Sequence, residues 1–197
     1  MTIHRYGGLI MNVYEYCPKI SDDRFLLRLV SKQDCDDLMR VYSDPKAVLL
    51  FNSDNCNGDD FYYKTSERMM QAIQMWLWSY DHGWFVRWSI IDKRTDCAVG
   101  TIELFRRASD DSYDGAGVLR LDLRSDYENE ADIRQILSLI LPPSFAWFGC
   151  DRIITKIKPA GKARERIFRE MGFVSAGEPL IGHDGTEYRD YWIGWSR

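Results

Sequence analysis

Residues 118–173 constrain the fold of this chain more than any other stretch. They read as an apolar strand (Val118-Leu-Arg-Leu-Asp-Leu), an acidic loop, a helix, a second strand (Arg152-Ile-Ile-Thr-Lys-Ile), an amphipathic helix and the terminator Met171-Gly172-Phe173. Strands alternating with helices at this spacing predict an α/β (α+β) domain in which neighbouring strands bracket helices. Ile167, Phe168 and Met171 share one side of the last helix, and Gly172 stands where a helix ends with positive φ.

The upstream half supplies the rest of a sheet. Residues 25–30 alternate as a strand. Ser31 is an N-cap, with Asp34 as its capping-box partner, for a helix reaching Tyr42 through Leu38, Met39 and Val41. Asp44-Pro45 opens a turn or short helix, and residues 52–60 are loop by composition. Thr65 or Ser66 caps a helix through Tyr80, with Met69, Ile73, Trp76, Leu77 and Tyr80 on one face. A strand over 84–92, a turn at 93–96 and a return strand over 98–106 form a hairpin, and residues 108–116 are loop. Two closing strands are predicted at 173–176 and 188–195. The helix beginning near Asp132 contains Pro142-Pro143, which predicts a kink or break near Leu141. No linker or repeat interrupts the chain, so residues 24–197 read as one domain behind an N-terminal extension of residues 1–23, with Met11 a candidate start.

Net charge is −4 with no basic cluster, which argues against nucleic acid as a partner. Five cysteines without a Cys-x-x-Cys pair read as reduced thiols in a cytoplasmic protein. His4, His82 and His183 lack ligand spacing, so no metal is expected. Asp59-Asp60 and Asp110-Asp111 read as solvated loop charge, and Gly182 and Gly185 as a turn. No apolar run is long enough for a membrane span. Trp76, Trp78, Trp84 and Trp88 read first as core.

The order and spacing of residues 118–173, with the hairpin strand Val99-Gly-Thr-Ile-Glu-Leu, resemble the acyl-CoA-binding half of the GNAT N-acetyltransferase superfamily. The branch that acetylates ribosomal-protein N-termini is the nearest in pattern. The resemblance implies a mixed, mostly antiparallel sheet flanked by helices, and acetyl-CoA as cosubstrate. It implies that residues 119–123 splay from the next strand and offer backbone at Leu121 and Leu123 to the pantetheine arm. It also implies a pyrophosphate loop at residues 128–133. In that loop Glu128, Asn129, Glu130, Ala131, Asp132 and Ile133 stand for the family's basic-x-x-Gly-x-Gly/Ala, so carboxylates replace neutral or basic residues and Ala131 replaces the central glycine. Phe145 and Gly149 fall at the family's aromatic and terminal glycine. Gly161 and Arg164 fall at its coenzyme-binding Asn and Ser, and Phe168 at a Tyr that another branch uses as general acid. Arg134, Lys162 and Arg164 are the cations left near the coenzyme mouth.

An amine must lose a proton to attack a thioester, so a base is required. Glu103 and Asp122 are the candidates, with Tyr188 or Tyr191 as donors to the leaving thiolate. The implied reaction is acetyl transfer to a primary amine, small molecule or peptide, by direct attack. The alternative is a catalytically degenerate acyl-CoA-binding or protein-interaction module of the same fold. A homodimer built on the closing strands is compatible with either.

Overall fold

A computed structural model describes residues 4–6, 9–52, 59–182 and 185–196. Among the described residues, twelve strands and four helices follow one another. A hairpin of β1 (His4–Tyr6) and β2 (Leu9–Met11) precedes β3 (Ile20–Ser21) and β4 (Phe25–Leu29). Next come α1 (Cys35–Tyr42) and α2 (Ser66–Asp81), then β5 (Val86–Asp92), β6 (Cys97–Arg106) and β7 (Gly117–Leu123). Helix α3 (Glu130–Phe148), β8 (Arg152–Lys156) and α4 (Lys162–Glu170) complete the segment that shaped the sequence reading. The chain closes with β9 (Val174–Ser175), β10 (Leu180–Ile181), β11 (Glu187–Tyr188) and β12 (Tyr191–Trp195).

Eight strands form one sheet in the order β3-β4-β5-β6-β7-β8-β12-β9. Neighbours are antiparallel except β7 and β8, which are parallel and joined through α3. The hairpin of residues 84–106 thus lies in one sheet with the first strand and with residues 118–123, as the alternation predicts.

Strand alternation sorts the side chains. Phe25, Leu27, Trp88, Ile90, Ile102, Leu104, Leu119, Leu121 and Leu123 pack against Ile133, Ile136, Leu137 and Ile140 of α3 and Ile167 and Phe168 of α4. Residues of the other parity, Leu26, Ile91 and Ala98, join a second cluster with Leu38, Val41 and Tyr42 of α1 and Met69, Ile73 and Trp76 of α2. Each helix therefore buries its apolar stripe against one face of the sheet, which fixes the helix pairs α1/α2 and α3/α4 on different sides.

Element ends follow local chemistry. The Asp34 carboxylate accepts the Ser31 N–H at 2.9 Å, so a 3₁₀ turn (Lys32–Asp34) precedes α1. Helix α3 starts two residues before Asp132 because Asn129 is its N-cap, accepting the Asp132 N–H on Oδ1 at 3.1 Å. Gly149 and Gly172 follow α3 and α4 with φ of 58° and 91°. The strand expected from residue 84 begins at Val86, since the Trp84 N–H still bonds Ser79 O at 2.9 Å and closes α2. The strand expected over 188–195 is two, β11 and β12, separated at Asp190, whose φ is 66°.

One expectation fails. Helix α3 runs unbroken through Pro142 and Pro143. Pro142 and Ser138, whose carbonyl it leaves unbonded, are both exposed, so water can serve that oxygen, while Ile136, Leu137, Ile140, Leu141 and Phe148 anchor both halves of the helix in the core. The described part of the extension before residue 24 packs against the sheet. Val13 is buried, Trp88 Nε1 donates to Pro18 O at 2.9 Å, and β3 forms the sheet's edge. These pieces are too short for periodicity to reveal. His183 lies outside the described residues.

Candidate functional site at the parting of two strands

Strands β7 and β8 pair at Gly117–Ile153, Val118–Ile154 and Leu119–Thr155, and pairing stops there, although β7 stays paired with β6 to Leu123. The two strands therefore part after Leu119, leaving a gap one strand wide at Arg120 to Leu123. A side-chain amide bridges it. Asn52 Oδ1 accepts the Leu121 N–H at 2.8 Å, while Asn52 Nδ2 donates to Lys156 O and to Thr155 Oγ1, each at 3.0 Å. Thr155 Oγ1 in turn donates to Leu119 O at 2.9 Å. Asn52 is 2% exposed, and its amide satisfies both strand edges as a peptide group would. The Leu121 and Leu123 side chains lie in the α3 core, so only their backbone faces the gap.

Beside the gap, on the α1/α2 face, lies a buried charged ladder. Register sets it: Arg87 is opposite Glu103, and Glu103 opposite Arg120; Ser89 is opposite Thr101, and Thr101 opposite Asp122. Arg87 Nε donates to Glu103 Oε2 at 3.1 Å, and Arg120 Nη1 donates to Glu103 Oε1 at 3.0 Å. Arg87 Nη1 reaches Thr101 Oγ1 at 2.9 Å and Asp122 Oδ2 at 3.3 Å. The Tyr42 hydroxyl donates to Asp122 Oδ2 at 2.7 Å and lies 2.8 Å from Thr101 Oγ1. The Trp76 ring covers the Arg87 guanidinium at 4.2 Å. Glu103 and Asp122 are each 1% exposed.

Burial alone would raise the Glu103 pKa, but Arg87 and Arg120 overcome it and hold the carboxyl below its ordinary range. Burial, then the neighbouring Asp122, pushes the Tyr42 phenol well above its ordinary value, so it stays protonated at neutral pH. Both Glu103 oxygens are engaged by guanidinium groups. Asp122 differs: Oδ1 is buried without a hydrogen-bond partner. Tyr191 lies on β12 opposite Lys156, in an apolar cluster with Tyr113, Ala116, Val118, Ile154 and Leu180.

The loop and helix residues singled out from sequence gather at the N-termini of α3 and α4. Glu128 and Arg164 form a buried bidentate ion pair, with Arg164 Nε at 3.0 Å from Oε2. Arg166 pairs with Glu130, Arg134 with Glu170, and Asp132 with Arg24. Lys162 is exposed and pairs with Glu165 at 3.2 Å. Ala131 is exposed in the first turn of α3, and Ile133 is core. Gly161 caps α4, where a Cβ would stand 3.2 Å from Lys158 O.

A pantetheine thioester would meet these groups unevenly. The backbone edge at Leu121 fits an amide-bearing arm, because it already binds an amide. The phosphate end does not fit: a buried carboxylate lies at the mouth, and the cations around it are paired. Among the described residues no group of three or more His, Cys, Asp or Glu is placed to hold a metal, and no helix is long and apolar enough to cross a membrane.

Sequence reasoning missed Asn52, Tyr42, Arg87 and Thr155. Only Arg87 left a signal, as a lone charge in the strand Val-Arg-Trp-Ser-Ile-Ile.

The fold agrees with known proteins. The acetyltransferase (GNAT) domain family matches residues 24–174. The uncharacterized N-acetyltransferase YoaA of Bacillus subtilis (strain 168) is 21% identical over 173 residues, covering 87% of this chain and 92% of that protein. The ribosomal-protein-S5-alanine acetyltransferase of Vibrio fischeri superposes with a TM-score of 0.66 at 15% identity, covering 89% of this chain and 94% of the other. RimJ of Mycobacterium smegmatis, solved in complex with CoA-disulfide, superposes with a TM-score of 0.66 at 14% identity, covering 90% and 86%. With a strand gap where the family opens its sheet and a family match over most of its length, the chain belongs to the GNAT acetyltransferases.

Proposed function

We propose that this protein transfers an acetyl group from acetyl-CoA to a primary amine, at a peptide N-terminus or on a small molecule, by direct attack. The observation that carries the reading is the parting of β7 and β8 after Leu119, bridged by the Asn52 amide. A site able to hold one amide between two strand edges is suited to an amide-bearing arm. The donor supplies an activated acyl group as a thioester; this chain's residues supply the rest.

Of the two candidate bases, Asp122 is the better placed to take the amine's proton. Its Oδ2 is held by Tyr42 and Arg87, which fixes the carboxylate, and its buried Oδ1 has no hydrogen-bond partner. Glu103 positions Arg87 and Arg120 instead.

A second reading, a GNAT-fold module that binds without turnover, is favoured by the Glu128–Arg164 pair at the phosphate end. Calorimetry with acetyl-CoA and with CoA, followed by thiol release in the presence of short peptides and polyamines, separates the two. Binding with acceptor-dependent thiol release supports the enzyme. Binding without release under every acceptor supports the module, and absence of heat with both ligands removes the donor reading.

A further inference from the structure

We propose that Glu128 is a built-in substitute for the donor's diphosphate, so that this chain recognises its acyl donor through the pantetheine arm and not through the nucleotide. The inference rests on the donor reading above and specifies which part of the donor is recognised.

Four observations converge. First, the Glu128 and Arg164 side chains are 5% and 1% exposed, a buried pair and not a surface contact. Arg164 presents Nε and Nη2 side by side to the two carboxylate oxygens, the same fork that a guanidinium presents to two phosphate oxygens. Second, Arg164 Nη1 is buried with no partner, so the carboxylate satisfies this cation only in part, as a smaller anion would in a seat shaped for a larger one. Third, the start of α3 is already served. Asn129 Oδ1 takes the Asp132 N–H, and the carboxylates of Glu130 and Asp132 stand in the first turn, where they complement the helix dipole. An incoming diphosphate would meet that negative charge where an empty helix start would attract it. Fourth, Glu130–Arg166 and Arg134–Glu170 join α3 to α4, and Glu128–Arg164 joins the loop before α3 to α4, so three ion pairs hold α4 against α3 and its leading loop. The arm end shows the opposite character: the Leu121 edge is backbone, uncharged and already hosting an amide.

The donor class that follows is a pantetheine thioester whose phosphoadenosine end contributes little to binding. The test is calorimetry on the wild-type protein with acetyl-CoA and with S-acetylpantetheine, then on Glu128→Gln and on the double variant Glu128→Gln/Arg164→Gln, with thermal melting to confirm folding. The wild type is expected to bind the two thioesters within about threefold of each other. Glu128→Gln, which frees Arg164, is expected to tighten acetyl-CoA about tenfold and leave S-acetylpantetheine unchanged. The double variant, lacking the freed cation, is expected to lose that gain. Wild-type binding of acetyl-CoA about a hundredfold tighter than S-acetylpantetheine would overturn the inference and leave the proposed function standing. Failure of both thioesters to bind any of the proteins would overturn the proposed function and this inference together. Should Glu128→Gln fail to fold, the wild-type comparison decides alone.

Discussion

The two faces of the central sheet are built from the same strands and follow different rules. Toward α3 and α4, β4 to β7 present Phe, Leu, Ile, Val and Trp to the main cluster, with one buried carboxylate, Asp92, opposite Phe25 and bonded to the Tyr127 hydroxyl. Toward α1 and α2 the same strands present Arg28, Arg87, Ser89, Thr101, Glu103, Arg120 and Asp122, and most of these are as buried as the leucines opposite. The apolar face is stabilised by area removed from water, which tolerates exchange of one hydrocarbon for another. The polar face is stabilised only as a complete set, because each buried charge is tolerable through its neighbours. One face therefore supplies stability and the other supplies fixed polar groups beside the strand gap.

The sharpest way to break this contrast is Arg87→Met. It strands Glu103 and Asp122 without their shared cation and is expected to cost about 3–5 kcal/mol in urea unfolding. A cost below about 1 kcal/mol would mean that the ladder is not coupled. On the apolar face, Leu121→Ala should cost about 3 kcal/mol, from lost transfer energy and the cavity left behind. Thioester binding should persist, since the gap uses the Leu121 backbone and not its side chain.

Turnover separates the two carboxylates of the polar face. Asp122→Asn is expected to lower the acetylation rate about a hundredfold with donor binding intact, the scale of a lost general base. Glu103→Gln should lower it less than about tenfold, because that residue positions two arginines and has no free oxygen for the amine. The reverse order of effects would return the base to Glu103.

Acid should act through the polar face. The Glu103 and Asp34 carboxyls sit below their ordinary values in the folded state, because guanidinium partners outweigh burial. Folding thus releases protons from these groups. Their contribution is complete above the unfolded values near about pH 4 and is lost as pH falls through the lower folded values. Thermal melts should be flat around pH 6 and fall steeply below about pH 4, and Asp34→Asn should shallow that fall. The smallest effects are at the caps. Thr65→Ala at α2 and Asn129→Ala at α3 should each cost about 1 kcal/mol. A clearly larger loss at Asn129 would show that its cap also orders the loop holding Glu128.

Much of the scaffold was legible because it depends on local pattern. The period of residues 118–123 and 152–157, the caps Ser31 and Thr65 and the stop at Gly172 were readable. The polar ladder was half legible. Alternation puts Thr101 and Glu103 on one face of β6, yet it cannot say that α1 and α2 cover that face. Partner choice is set by register across strands: Arg87 meets Glu103 only once β5 and β6 are aligned past the irregularity at Ile90 and Ile91. Asn52 was invisible for a similar reason. Its partners lie at Leu121, Thr155 and Lys156, far along the chain, and its own neighbourhood reads as loop. Pro142-Pro143 misled because a local rule met a helix whose buried side outweighs two missing donors.

The strand gap has a consequence for how such a protein changes over generations. Its lining at β7 is main chain, while the side chains of Leu121 and Leu123 belong to the core and are held by it. Selection for a stable fold therefore preserves the opening whether or not anything is bound there. What enters it is left to a few residues, Asn52 at one end and Glu128 with Arg164 at the other, none of which belongs to the apolar core. A lineage can exchange those residues, and with them its ligand, while the sheet around them stays the same.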